Sequence, residues 1–253
     1  MNLDGSDFHW LFKTDILSSS YSPSNLLAPQ WIPGTGQVVH LRMVSGVTRV
    51  FVGDSTASVR RLIGTPGPIT GESDPEVSVD RAWVYFVGHS ATGDAIWRVG
   101  TSSGAPAPER LTPESSYADM HFPSLSPDGT RLAYIKWDRL YVRNLSTGDT
   151  TRLSDNQAAG ARWSPTGGWI LYAVSYSYGG YSGPLHLIRP DGSEDHVLSP
   201  GVYFPGGSWS PDGTYLIVSR AEIPYHQELI NVGTGERLPL VYERTWYGPA
   251  WRR

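Results

Sequence analysis

Gly100-Thr101-Ser102-Ser103-Gly104 has the glycine-x-serine-x-glycine spacing of a nucleophile elbow. In that device a tight strand-to-helix turn holds a serine hydroxyl out for attack, and an acid and a histidine follow in order. Here Pro106 and Pro108 come directly after, and no helical periodicity succeeds them. The pattern therefore reads as a turn between two strands. Seven histidines, His9, His40, His89, His121, His186, His196 and His226, could supply metal ligands or move protons near neutral pH. They recur at no shared position of the chain's repeat, so no converging metal set, and no cofactor, is expected. His121 is the best placed, with Asp119 two residues before it and an apolar strand after it. An acid and an imidazole there could act on a glycosidic or uronic-acid bond, although such chemistry needs two carboxyl groups at a defined separation. Asp128 and Asp212 do not supply them, because each stands in a tight turn that its side chain is expected to cap. The segment Tyr176-Ser177-Tyr178-Gly179-Gly180-Tyr181 offers recognition instead: rigid amphipathic rings set among small, adaptable residues.

The composition narrows the rest. There is no cysteine, which removes disulfides, thiolate metal sites and cysteine nucleophiles together. A formal charge of −4 gives no steering towards nucleic acid or anionic lipid. Lys13 and Lys136 are the only lysines against 18 arginines, a bias that reads as codon usage rather than as phosphate clamps. No apolar run approaches the eighteen or so residues of a membrane span. Asp4 and Asp7 precede the short run Phe8–Phe12, which is not the pattern of a secretion signal. The expected compartment is the cytoplasm, or the periplasm or envelope if a leader has been lost.

These groups must be positioned by short strands, because 30 aromatic residues are interspersed with 28 glycines and 20 prolines. Leu125-Ser126-Pro127-Asp128-Gly129, Trp163-Ser164-Pro165-Thr166-Gly167 and Trp209-Ser210-Pro211-Asp212-Gly213 are copies of one strand-to-turn unit, each leading into an apolar run. Trp31, Val77 and Trp251 fall in the same register, so the unit recurs about every forty residues, as the blades of a propeller do. The copies at 31 and 77 look degenerate, the second keeping only its register. A second apolar strand, a third, a glycine-containing turn and a more polar fourth strand complete each unit. Four antiparallel strands from the axis outward make a propeller blade.

The expected fold is thus all-β, a single β-propeller domain over residues 1–253 with four-stranded antiparallel blades. Blades are expected at about 28–70, 74–113, 122–155, 160–199 and 205–240. A sixth is closed by both termini, from 1–27 together with 241–253; five blades with loose ends is the alternative.

The Trp-Ser-Pro-Asp-Gly turn, the Arg131–Ile135 strand after it and tails such as Glu109-Arg110-Leu111-Thr112 and Thr151-Arg152-Leu153-Ser154 resemble the repeat of TolB-type, WD40-like β-propellers of bacteria. The resemblance is to their propeller portion only, and it implies fold rather than chemistry: the turn is structural and the Trp packs between blades. Similar repeats occur in propeller domains of serine peptidases and in sugar-acid lyases.

In a propeller the loops from the fourth strand to the next inner strand share a face with the loops from the second strand to the third. On that face fall Tyr117, Asp119, His121, Tyr203, Trp246 and Tyr247 near the axis, with Tyr176, Tyr178, Tyr181, Tyr225 and His226 further out. Tyrosine and tryptophan concentrate at binding hot spots. The expected function is therefore non-catalytic: a soluble, monomeric propeller that binds a protein or peptide segment, or a small polar ligand, on its aromatic loop face. Two alternatives are a propeller hydrolase or lyase acting on a sugar or uronic acid, and a regulatory propeller severed from a larger peptidase-type protein.

Overall fold

The computed structural model describes residues 30–32, 34–54, 60–62, 69–102, 104–115, 120–174, 183–203, 207–220 and 227–240. They form five four-stranded antiparallel sheets in chain order. The first blade is β1 (Gln30–Ile32), β2 (Gln37–Val44), β3 (Val47–Asp54) and β4 (Arg60–Leu62). The second is β5 (Ile69–Val77), β6 (Trp83–Ser90), β7 (Gly93–Gly100) and β8 (Glu109–Arg110). The third is β9 (Met120–Leu125), β10 (Arg131–Lys136), β11 (Arg139–Asn144) and β12 (Thr150–Arg152). The fourth is β13 (Ala158–Trp163), β14 (Ile170–Val174), β15 (Gly183–Ile188) and β16 (His196–Tyr203). The fifth is β17 (Ser208–Trp209), β18 (Tyr215–Ser219), β19 (Gln227–Asn231) and β20 (Arg237–Leu240). The closing blade expected from 1–27 and 241–253 lies outside the described residues. No helix among the described residues is long and apolar enough to cross a membrane.

The core lies between blades, and the period of two explains how. Along β6, Val84 and Phe86 pack against Val39, Val50 and Val52 of the first blade, while Tyr85 and Val87 pack against Met120, Leu132 and Tyr134 of the third. Along β14, Ile170 and Tyr172 join Ala133, Ile135 and Leu140 of the blade before. Leu171 and Ala173 join Trp209, Leu216 and Val218 of the blade after. Successive side chains of a strand point to opposite faces, and both faces of each middle strand are covered. That is why these strands read as unbroken apolar runs. Trp163 and Trp209 pack between blades as the repeat implied. Arginines find a use that composition does not show: the guanidinium groups of Arg98, Arg131 and Arg189 lie 4.5, 4.9 and 3.8 Å over the rings of Trp83, Trp163 and Trp169.

The repeat turns are held by one set of bonds. Ser126 Oγ donates to Asp128 Oδ1 at 2.5 Å, and the same oxygen accepts from the Thr130 amide at 3.0 Å. The Arg131 amide donates to Ser126 Oγ at 2.9 Å. Ser210, Asp212 and Tyr215 repeat this at 2.5, 3.0 and 2.9 Å. The Ser126 hydroxyl, helped by the Thr130 amide, holds the Asp128 carboxyl down at about 2, and the corresponding groups do the same for Asp212.

The second copy is less degenerate than its sequence reads. Ser78 and Asp80 reproduce the same bonds at 2.5, 3.0 and 3.0 Å, so the turn chemistry survives the loss of proline and glycine. Its glycine position is taken by Arg81, held at φ +65° where Gly129 and Gly213 have +72° and +74°. A side chain in that left-handed region costs roughly 1 kcal/mol. Arg81→Gly is therefore expected to raise stability by about 0.5–1 kcal/mol, less whatever unfolded-chain entropy the glycine adds. Chemical unfolding of the two proteins checks this, and a lower midpoint in the variant would contradict it.

The inner strands share a feature the repeat did not announce. Asp74, Phe122 and Gly160 all have positive φ, at +51°, +53° and +71°. Each stands three residues before the aligned position of its blade, Val77, Leu125 or Trp163. The ladder slips at each of these points. These are β-bulges, which bend a strand and re-aim its side chains. The edge that the inner strands leave open is capped by side chains. Gln30 of the first blade accepts from the Val77 amide at 3.0 Å and donates to Pro75 O at 3.0 Å. Ser124 of the third blade accepts from the Trp163 amide of the fourth at 3.1 Å. Arg162 reaches back past the third blade to Glu76, Nη1 to Oε2 at 3.2 Å, and Gln30 donates to the same oxygen at 2.8 Å.

Candidate functional site

The bulge at Asp74 gathers a polar cluster at the loop-face end of the second and third blades. Asp94 and His89 stand near the tip of the β6–β7 hairpin, Ser73 and Asp74 on β5, and His121 near the start of β9. His89 Nδ1 lies 2.8 Å from Asp94 Oδ1, and its Nε2 lies 3.0 Å from Ser73 Oγ. Ser73 Oγ donates to Asp74 Oδ2 at 3.3 Å, and the same carboxylate oxygen takes the Phe122 amide at 3.5 Å. His121 Nδ1 approaches that oxygen at 3.6 Å. The backbones of Asp94 and Ser115 pair in both directions at 3.0 and 2.9 Å, which pins the start of the loop leading to the third blade. Beside the cluster Glu72 is fully buried. Its Oε2 accepts from the Val50 amide at 2.7 Å and its Oε1 meets Arg49 Nη1 at 3.3 Å. Burial pushes the Glu72 carboxyl up to about 7, against the pull of the Val50 amide and Arg49.

Asp94, His89 and Ser73 stand in the order of a hydrolase triad, but the serine is not placed to attack. Ser73 is 3% exposed and its one proton has two acceptors, the imidazole and Asp74. A nucleophile must meet its substrate at bonding distance with an open approach. The Asp74 and Asp94 carboxylates are as closed to solvent as Ser73, at 0% and 3% exposure, so the cluster presents the partly exposed His121 as its outward polar group. Among the described residues no three histidines or acids are arranged to hold a metal ion. Between β7 and β8 the Ala105 amide donates to Ser102 O at 3.2 Å, so the described residues of the Gly100–Gly104 pattern lie at a turn and no helix follows them.

Of the residues the sequence assigned to the binding face, His121 is the one whose side chain the structure describes, partly exposed at the loop-face end of β9. Tyr203 ends β16, its backbone opposite Gly183 at the start of β15. Tyr117, Asp119, Tyr176, Tyr178, Tyr181, Tyr225, His226, Trp246 and Tyr247 lie outside the described residues. Sequence reasoning set His89 aside as one of seven histidines in no shared register, and missed Ser73, Asp74 and Asp94. His89 sits at a different position of its blade from His121, and only the bulge brings the two imidazoles to either side of one Ser-Asp pair.

Solved structures place the architecture. TolB from Acinetobacter baumannii superposes with a TM-score of 0.69 at 19% identity, over 89% of this chain and 56% of that one. A protein described as TolB from Agrobacterium tumefaciens gives 0.69 at 19%, over 84% and 79%. The fold is a TolB-like β-propeller. An oligogalacturonate lyase in complex with manganese also matches the TolB-like chain, at 0.59 and 14% over 81% of this chain and 62% of that one. No protein-family model matches the sequence, and no curated protein is significantly similar to it. The TolB-like chain thus spans little more than half the length of the Acinetobacter protein.

Proposed function

We propose that this TolB-like propeller is a recognition module that binds a protein segment or a small polar ligand on its loop face without acting on it chemically. The observation that carries the reading is the cluster at the mouth of that face. His121 stands there, partly exposed against the buried Asp74 carboxylate, on the face to which the sequence assigns its tyrosine-rich loops. An outward imidazole held by a carboxylate suits a hydrogen-bonding ligand, and tyrosine rings around it would supply apolar area at low entropic cost. The likeness to TolB, and to a structure of a nidogen/laminin complex (TM-score 0.60 at 14% identity), fits a fold used between proteins.

The test is affinity capture from envelope and soluble extracts of the source cell, comparing the wild type with a variant carrying Ser at Tyr176, Tyr178 and Tyr181. The variant is expected to lose at least tenfold of the captured partner while melting within about 2 °C of the wild type, as rings that serve binding rather than packing should. Equal capture by both would count against the loop face. Cleavage of oligogalacturonate by the purified protein with Mn2+ would replace this reading by the lyase alternative, for which the two solved lyases of this fold are the motive.

A further inference from the structure

We infer that the hairpin tip of the third blade, Lys136-Trp137-Asp138-Arg139, is a docking anchor for a protein segment that carries apolar side chains flanked by acidic ones. The inference rests on the loop-face reading and narrows its ligand to a protein. Lys136 pairs with Arg139, leaving Trp137 and Asp138 as a two-residue turn. Both have positive φ, +50° and +52°, as such a turn demands. Asn, Asp and Gly take that conformation readily, whereas a bulky ring does so rarely. Folding would be served better by almost any small polar residue at 137. The ring is nonetheless 50% exposed, with the Lys136 ammonium 4.4 Å over it.

An exposed tryptophan in an unfavoured backbone conformation is a feature to be explained by contact with something else. Its surroundings say what. Among the described residues neither Lys136 nor Arg139 pairs with a carboxylate; Arg139 Nη1 donates to the Asp138 carbonyl at 2.9 Å. Asp138 is the single acid of the tip. The corresponding hairpin of the first blade repeats the character on the same face. There Met43 and Val44 are 48% and 43% exposed beside Arg42, whose guanidinium lies 5.8 Å over Phe51 and pairs with no carboxylate among the described residues. The tips of two blades thus present apolar area next to unpaired cations, in a chain whose net charge is −4. The complementary surface is apolar and acidic.

The experiment is selection from a display library of random twelve-residue peptides on the full chain. Each recovered peptide is then titrated against three variants: Trp137→Asn, Lys136→Glu with Arg139→Glu, and the triple Tyr→Ser protein. Trp137→Asn keeps a residue suited to the turn, so it should melt at or above the wild-type temperature, and lost binding cannot be ascribed to unfolding. Recovered peptides rich in Asp or Glu with Leu, Phe or Trp, binding at least tenfold more weakly to the first two variants, are the expected result. Peptides that bind Trp137→Asn as well as wild type but are lost by the Tyr→Ser protein would overturn this inference and leave the loop-face reading standing. Peptides indifferent to all three variants, or no enrichment at all, would overturn it as well.

Discussion

Replacing Glu72 by Gln is expected to leave stability unchanged near pH 4 and to raise it by as much as about 3 kcal/mol at pH 8. The carboxyl is fully buried between the first and second blades, where the Val50 amide and Arg49 are its partners. Removing it from water opposes ionisation more strongly than those partners favour it, so its folded pKa rises from 4.5 to about 7. A carboxyl raised in the folded state stabilises the fold fully below its unfolded pKa. That contribution is lost as pH rises from about 4.5 through about 7, because the native state then has to bear a buried charge that the unfolded chain carries in water. Gln keeps the shape and an acceptor for the Val50 amide but cannot ionise. Urea midpoints at half-unit steps from pH 4.5 to 8.5 should therefore diverge upward in favour of the variant. Parallel curves would mean that the Arg49 pair carries the ionised group at no net cost.

The second large effect lies at the axis. Glu76→Ala is expected to cost about 2 kcal/mol, since it strips the Arg162 guanidinium of its carboxylate partner and leaves the Gln30 amide one acceptor short. The side chains of Arg162 and Glu76 are only 13% and 18% exposed, so water replaces the pair poorly. The contrast is Glu109, which meets Arg98 at 2.7 Å but is 56% exposed. Glu109→Ala should cost no more than about 0.5 kcal/mol. A double-mutant cycle on Glu76 and Arg162, followed by urea unfolding, measures the coupling directly. A coupling near zero would show that the contact between the second and fourth blades is incidental to the ring.

Much of the fold can be read from the chain because its repeats state their own chemistry. Ser-Pro-Asp-Gly marks a turn whose hydroxyl and carboxylate bonds recur to within 0.1 Å between the copies at 126 and 210. The middle strands announce themselves as apolar because both their faces are covered. Ser78-Val79-Asp80-Arg81 escaped recognition because its turn chemistry lies in two residues, while the eye is drawn to the proline and glycine it lacks. The bulges were illegible for a different reason. Asp, Phe and Gly share the backbone conformation at 74, 122 and 160 but no side-chain character, so no pattern in residue type betrays them.

The site depended on those bulges. A histidine on the second strand of one blade and another on the inner strand of the next share no register, yet both meet the Ser73–Asp74 pair once β5 is bent. Arg162 and Glu76 are 86 residues apart, a contact that only the curving of successive blades around an axis makes. Trp137 was passed over in the sequence because a single tryptophan between two basic residues is unremarkable until its backbone conformation is known.

The central claim is that this propeller works through its loop face. Hydrogen–deuterium exchange of the chain with and without a captured partner or selected peptide tests it most directly. Slowed exchange at 43–47, 89–94, 113–121, 136–139 and 175–182, with no change at the repeat turns 126–130, 164–168 and 210–214, is the predicted result. Slowed exchange confined to those turns would put the partner on the opposite face and contradict the account.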